Sequence, residues 1–313
     1  MASTIYDITV VGGGPIGLFA AGIAAEMGAM CNIIESRFQY GGSLMASYPD
    51  KTVYNFPGIQ AIKGKDLIDM LARKARSFGV VARFGEYVND IIEGSRKTVI
   101  LKSGRLEYLS STAILTTGLK AYCSPLGDRF ELGDWDGDGI YERWPHAGIL
   151  RNKSVAVVNG LSGVIRVPAA IRKAVRNLIL ILDESFAIEQ KLDSRLLERS
   201  TIEFVQSPWE ISKIAGGKRQ KTAVLQNRET REARRIPVEA VLALYDGQAR
   251  QTLYSNFGIE MMGQQVKVNQ KMQTSLARVF AAGDNARYPG KIKHLEAGIY
   301  EAGIAVKNAL KLI

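Results

Sequence analysis

Apolar positions fall in short blocks separated by glycine-rich or polar turns, and the spacing within the blocks changes along the chain. Ile5 to Val11 is a short apolar run of strand length. It passes through Gly12-Gly13-Gly14-Pro15-Ile16-Gly17 into a helix of small residues carried by Ala20, Ala21, Ala24 and Ala25. A second apolar run, Cys31 to Ile34, ends at Glu35. Two Gly/Pro clusters follow, Gly41-Gly42 and Asn55-Phe56-Pro57-Gly58, and they predict a long connection without regular structure. Leu67 to Phe78 has helical spacing, with Leu67, Met70, Leu71 and Ala75 on one face. Strands are predicted at Val80–Phe84, Tyr87–Ile92, Thr98–Leu101 and Arg105–Leu109. A separate buried strand, Ala113–Leu115, runs into Thr116-Thr117-Gly118.

The pattern then restarts. Ser154–Val158 predicts a strand, Asn159-Gly160-Leu161-Ser162-Gly163 a loop, Val164–Val175 a helix, and Leu178–Leu182 a strand ending in Asp183-Glu184. Further strands are predicted at Ile202–Val205, Glu210–Ala215, Thr222–Gln226, Ala240–Tyr245 and Val279–Ala282. A helix over Leu295–Leu310 closes the chain. Two β-α-β units in one chain predict an α/β protein with two Rossmann-like dinucleotide-binding domains, each a doubly wound parallel sheet.

Composition adds little to the fold but narrows the setting. The 313 residues suffice for two cores, and 46% hydrophobic with 23% charged content is ordinary for a globular protein. The first strand begins at once and no apolar run reaches membrane-spanning length, so the cytoplasm is the expected compartment and no membrane partner is expected. The net charge is +10, which would favour an acidic protein partner. The densest basic stretch, Lys218 to Arg235, is broken by Glu229 and Glu232; it reads as a solvated hairpin face or a docking patch rather than a nucleic-acid site. The two cysteines, Cys31 and Cys123, are far apart and form no C-x-x-C, and Cys31 in a strand pattern reads as a small buried apolar residue.

The candidate chemistry starts at Gly12, Gly14 and Gly17, which stand at G-x-G-x-x-G spacing between a strand and a helix. Gly12 permits the tight turn, Gly14 admits a pyrophosphate to the backbone, and Gly17 lets the helix lie close on the sheet. The N-terminus of that helix offers free N–H groups and the positive end of its dipole. Glu35, about 20 residues on, is placed to accept from a ribose diol, which favours FAD or NAD over NADP. No metal site is expected. Asp134-Trp135-Asp136-Gly137-Asp138-Gly139 opens like a calcium loop, but the closing carboxylate would fall on Pro145, and His146 and His294 are isolated.

With these motifs, Gly41-Gly42-Ser43-Leu44, Thr116-Thr117-Gly118 and Gly283-Asp284 in order, the chain resembles the low-molecular-weight thioredoxin reductase family. Tyr288-Pro289-Gly290-Lys291 with Glu301-Ala302 is similar to the thioredoxin-reductase-like ferredoxin–NAD(P) reductases. The resemblance implies an FAD domain from residues 1–118 and 245–313, with a nucleotide domain, 119–244, inserted. It also implies a homodimer. On this basis Gly12, Gly14, Pro15 and Gly17 hold the FAD pyrophosphate and Glu35 its ribose. Gly42, Leu44 and Asn55 line the flavin, Thr117 and Gly118 touch the cofactor, and Gly283 and Asp284 meet the ribityl chain. A strand-end carboxylate such as Asp284 can accept from a sugar hydroxyl; its plainer role is a helix N-cap. Tyr48, Tyr54 and Tyr288 are candidates to shield the ring, although core packing is the commoner role of an aromatic.

Three departures stand out. In the second loop Asn159 and Leu161 replace the first two glycines, leaving Gly160 and Gly163, and Pro168 shortens the following helix. Asp183 and Glu184 stand where NADP-using relatives carry basic residues; the acid suits NADH or a second adenine dinucleotide and disfavours NADPH. The stretch His146–Leu150, where thioredoxin reductases carry their redox C-x-x-C, has no sulfur. The resemblance therefore implies an FAD-dependent oxidoreductase without a redox disulfide, moving electrons between NADH or an acidic carrier such as ferredoxin and an acceptor. The flavin would do the chemistry, so no catalytic side chain is assigned. Two alternatives remain: a regulatory FAD-binding homologue that has lost its nicotinamide site, and a diflavin enzyme with a second FAD in the middle domain.

Overall fold

The structure is a computed structural model that describes residues 4–95, 97–103, 106–119, 121–122, 139–141, 144–160, 167–182, 202–216, 221–245, 249–250 and 257–313. It divides into two compact units, Met1–Cys123 with Ala249–Ile313, and Ser124–Gln248.

The first unit is built on a seven-stranded sheet. Ile5–Val11 lies between Cys31–Glu35 and Leu106–Leu115, parallel to both, and Val81–Phe84 extends the sheet beyond Cys31–Glu35. The sequence predicts two strands where Leu106–Leu115 is one. Its first half pairs antiparallel with Val99–Ser103, and its last residues pair in parallel with Val279–Ala281. The polar stretch that suggests a break is absorbed by the sheet: the Ser110 hydroxyl donates to the Thr112 and Tyr6 carbonyls, and the Thr112 hydroxyl donates to the Asp7 carbonyl. Hydroxyls satisfied in this way can lie inside a sheet without penalty.

The expected long loop is also partly regular. It holds a short helix, Gly42–Ser47, and a small hairpin of Thr52–Val53 with Ile62–Lys63. Helix Gly64–Ser77 follows, and its Ala75 meets the first helix, Pro15–Glu26, at Gly22. Ala20, Ala21 and Ala24 are fully buried, which lets the first helix lie close on the sheet over Ile8, Val10, Ile33 and Ile114. Closest of all is Gly17, where a Cβ would run into the Gly12 carbonyl oxygen and come within 2.6 Å of the Thr116 hydroxyl. The closing helix, Leu295–Ala309, packs on the same core through Ala302, Ala305 and Val306.

The second unit has a parallel sheet in the order Ile140–Tyr141, Ala240–Tyr245, Ser154–Gly160, Asn177–Leu182, Ile202–Val205. Beside it is an antiparallel meander of Trp209–Gly216, Lys221–Asn227 and Ala233–Val238. The last of these strands, with Arg234, Arg235 and Pro237, is not predicted from the sequence. The solvated-face reading also needs one correction. Lys221 is 2% exposed, because strand alternation sets it on the inner face with Ala223 and Leu225. Arg228 and Arg234 are exposed and paired with Glu210 and Glu203. The described part of the predicted Val164–Val175 helix begins after Pro168, at Ala169–Ala174.

Near the edge of the first sheet, Glu86 accepts a hydrogen bond from the Tyr108 hydroxyl. Burial pushes the Glu86 carboxyl above its ordinary value, although Tyr108 and Arg83 oppose the shift. A carboxyl raised on folding holds its proton longer in the native state, so its contribution to stability falls as pH rises from the ordinary carboxyl range through the native value.

Two outcomes are expected. Gly17→Ala should destabilise the fold by roughly 1–3 kcal/mol, whereas Gly303→Ala, where an added Cβ meets nothing within 4 Å, should be neutral or stabilising. Urea unfolding of the two variants checks the opposite signs. Glu86→Gln should unfold near the wild type at about pH 4 and gain on it by about pH 7. A difference between the two melting temperatures that does not change with pH would contradict the assigned cause.

Candidate functional site

A cavity of about 790 Å³ opens at the C-terminal ends of the parallel strands of the first unit. This is the edge at which open α/β sheets bind ligands. Gly12, Gly14, Pro15, Glu35, Gly42 and Leu44 line it from the N-terminal segment; Asn55, Thr117, Gly118, Gly283 and Asp284 complete the predicted set. Gly17 lies beneath and does not line it. The cavity brings together residues more than 270 positions apart in sequence, Gly12 and Gly283 among them.

The glycine-rich turn is shaped by close backbone approach. Gly12 has φ +106°, and a Cβ there would come within 2.8 Å of the Thr116 carbonyl oxygen. Thr116 holds the turn from below, its hydroxyl donating to the Val11 and Gly12 carbonyls at 3.0 and 2.9 Å. Gly41 donates its N–H to the Gly13 carbonyl, and this ties the second glycine loop to the first. Gly42, at φ +53°, then faces Gly14 so closely that a Cβ would lie 3.3 Å from the Gly14 Cα. Helix Pro15–Glu26 starts beside this cradle with no side-chain cap and no acid in its first turn. A side chain at either glycine would fill the space, and an uncapped helix start suits an anion. The donor set fits the pyrophosphate of a dinucleotide.

Glu35 is 5% exposed and fixed through both oxygens. Oε2 accepts the Gly13 N–H at 2.5 Å, and Oε1 accepts the Arg37 N–H at 2.8 Å. The Ser36 hydroxyl also donates to Oε1 at 3.3 Å, and the carboxylate, which lines the cavity, is an acceptor of the kind a ribose diol needs. Tyr40 packs edge-on against Phe84 at 4.7 Å below this corner, and burial pushes its phenol up to about 12. Arg37, Glu86, Tyr87 and Val88 also line this part of the cavity and are not picked out by the sequence. Their only signal is position, just after the strand-end acid or just before the next strand.

The C-terminal wall gives the largest surprise. Glu301, fully buried on the closing helix, forms an ion pair with Lys291, whose side chain is 1% exposed. Tyr288 donates its hydroxyl to Glu301 Oε1 at 2.7 Å and does not line the cavity. Its proposed place over the ring is therefore corrected to a partly buried hydrogen bond behind the cavity wall. Desolvation, then Glu301, push the Tyr288 phenol up to about 12. Tyr48 and Tyr54 do line the cavity and are 55% and 73% exposed. Asp284 is exposed in a turn, and the cap position of the closing helix is His294. The N-cap alternative for Asp284 thus fails.

The second nucleotide loop differs from the first in its backbone. The first strand ends at Val11 and Gly12 turns, whereas strand Ser154–Gly160 runs on through the position of the expected turn. Asn159 pairs with Leu182 and Leu244, and Gly160 with Tyr245. Gly163, Asp183, Cys123 and the Asp134–Asp138 stretch lie outside the described residues. Cys31 is buried, and burial followed by Asp7 pushes its thiol up to about 12, which leaves it inert as a nucleophile. No cluster of metal-ligating residues and no helix long and apolar enough to cross a membrane occurs among the described residues.

Comparison with known proteins agrees with this build. Residues 168–302 match the pyridine nucleotide-disulphide oxidoreductase family. The chain is 28% identical to a ferredoxin–NADP reductase of Halalkalibacterium halodurans, over 99% of this chain and 94% of that one. It is 29% identical to the Ligilactobacillus salivarius ferredoxin–NADP reductase, over 98% and 91%. In fold it is similar to the thioredoxin reductase of Streptococcus pyogenes, with a TM-score of 0.52, 17% identity and 99% of each chain covered. The similarity to these reductases runs the length of the chain and not over one nucleotide-binding unit alone; it supports a likeness to the thioredoxin-reductase-like ferredoxin–NADP reductases and an FAD-dependent oxidoreductase.

Proposed function

We propose that the protein binds FAD in the first-unit cavity and passes electrons between NADH and an acidic one-electron carrier of the ferredoxin kind, without a redox disulfide. The observation that carries the reading is the cavity itself, where the uncapped helix start, the Gly14–Gly42 cradle and the anchored Glu35 carboxylate converge. Pyrophosphate would lie at Gly12 and Gly14 over Pro15, and the adenosine ribose at Glu35. The ribityl chain would meet Asp284, and the ring Gly42, Leu44 and Asn55. Bound there, FAD supplies exchange of two electrons with a nicotinamide and of single electrons with a carrier. The chain's own part is to hold, orient and shield it.

Three supports point to the partners. The relatives are named for ferredoxin and NADP. The chain carries a net charge of +10, and the exposed cavity-lining residues Lys51, Lys293 and His294 place basic groups at the cavity. Asp183 and Glu184 argue for NADH over NADPH, since a carboxylate at the end of that strand would repel a 2′-phosphate. Residues 119–244 would then be the nicotinamide domain, and a homodimer is the assembly the family implies. The strand that continues through Gly160 favours a second reading, in which this loop takes no nicotinamide and reduced ferredoxin is the donor.

Anaerobic titration of the flavin-loaded protein with NADH and with NADPH separates these readings. Bleaching of the flavin band by NADH, at least about tenfold faster than by NADPH, is expected. Equal or faster bleaching by NADPH would overturn the assignment of Asp183. No bleaching by either, with full bleaching by dithionite, would select the second reading.

A further inference from the structure

Lys291 and Glu301 form an ion pair that the fold has little reason to bury. Their side chains are 1% and 0% exposed, and a pair so far from water is commonly no more stabilising than two apolar residues of the same size. The hydrogen bonds around it show what else it holds. Glu301 Oε2 accepts the Gly283 N–H at 2.8 Å, and Lys291 donates to the Gly283 carbonyl at 3.0 Å. Lys291 spends its other donors on the two Glu301 oxygens, and Oε1 also accepts from Tyr288. The Gly283 carbonyl additionally accepts the Ala286 N–H. Both polar groups of one glycine are thus fixed by one buried pair.

That glycine is the hinge of the cavity wall. Its φ of +83° turns the chain out of strand Val279–Ala281, and it is wedged between Ile16 of the first helix and Gly298 of the last. The next residue is the exposed, cavity-lining Asp284, whose carbonyl accepts from the Gln265 amide at 2.6 Å. The backbone is therefore held on both sides of the Asp284 side chain.

We infer that Lys291 and Glu301 are positioning residues for the cofactor, holding the Gly283 peptide so that Asp284 is presented to the cavity. The inference rests on the FAD reading for its ligand, but the backbone restraint can be read without the cofactor. Two double variants isolate it. Lys291→Met with Glu301→Leu removes the charges and the acceptor for the Gly283 N–H. Lys291→Met with Glu301→Gln removes the same charges but keeps an amide oxygen as acceptor. Both should fold, since neither leaves a buried unpaired charge.

Two readouts are taken on purified protein: the FAD dissociation constant of the apoprotein, from flavin fluorescence quenching, and hydrogen exchange of the segment around Gly283. The Leu variant should bind FAD at least about tenfold more weakly than wild type and exchange faster at this segment. The Gln variant should stay within about threefold of wild type. A role confined to the ion pair's own stability would move both variants alike, and that result overturns the inference. If wild type binds no FAD, the cofactor reading fails and takes the cofactor role with it. Faster exchange in the Leu variant alone would then still establish the restraint on Gly283.

Discussion

One strand is shared by everything that builds the site. Leu106–Leu115 carries Ile5–Val11 on one side and, on the other, first Val99–Ser103 and then Val279–Ala281. Its last residues thus lie between the N-terminal strand and a strand from near the C-terminus. The turns that leave these three strands, at Gly12, Thr116–Gly118 and Gly283, must meet at one edge of the sheet. The close approach there has further requirements: a glycine at Gly12 because of Thr116, a glycine at Gly17 because of Gly12, and a hydroxyl at Thr116 to hold the turn. The cavity follows from this three-way pairing.

The local elements were legible because they rest on short-range physics. The strand, glycine turn, small-residue helix and strand-end acid of residues 5–35 announce themselves by period, φ requirement and size. What failed was of two kinds. Ser110 and Thr112 read as a break because a polar residue in a strand is costly unless bonded, and their partners, Tyr6 and Asp7, are about 100 residues away. Lys221 read as solvated because charge is the stronger local signal, whereas its place in the alternation with Ala223 and Leu225 decides the burial.

The site shows the same division. Glycines and the acid at Glu35 could be named, since each does its work through its own backbone or carboxylate. Arg37 and Glu86 could not, because their role comes from where neighbouring strands end. Glu301 is the sharpest case. In the sequence it carries part of the family resemblance together with Lys291, but nothing in the pattern says what it touches. Only the fold shows that it meets Lys291 and the Gly283 peptide.

The two nucleotide loops differ for a reason visible at a single residue. Gly12, at φ +106°, takes a conformation that side chains rarely adopt, and the strand ends there. Asn159 occupies the matching place, remains extended and keeps its pairing on both sides. A phosphate turn needs the backbone N–H groups to leave the ladder and point at the ligand, and a strand that continues through Gly160 keeps them in the sheet. The loss of one glycine therefore does more than add a side chain: it changes which groups are available to bind. That change bears on the second unit alone, while the first retains every conformational requirement of its turn.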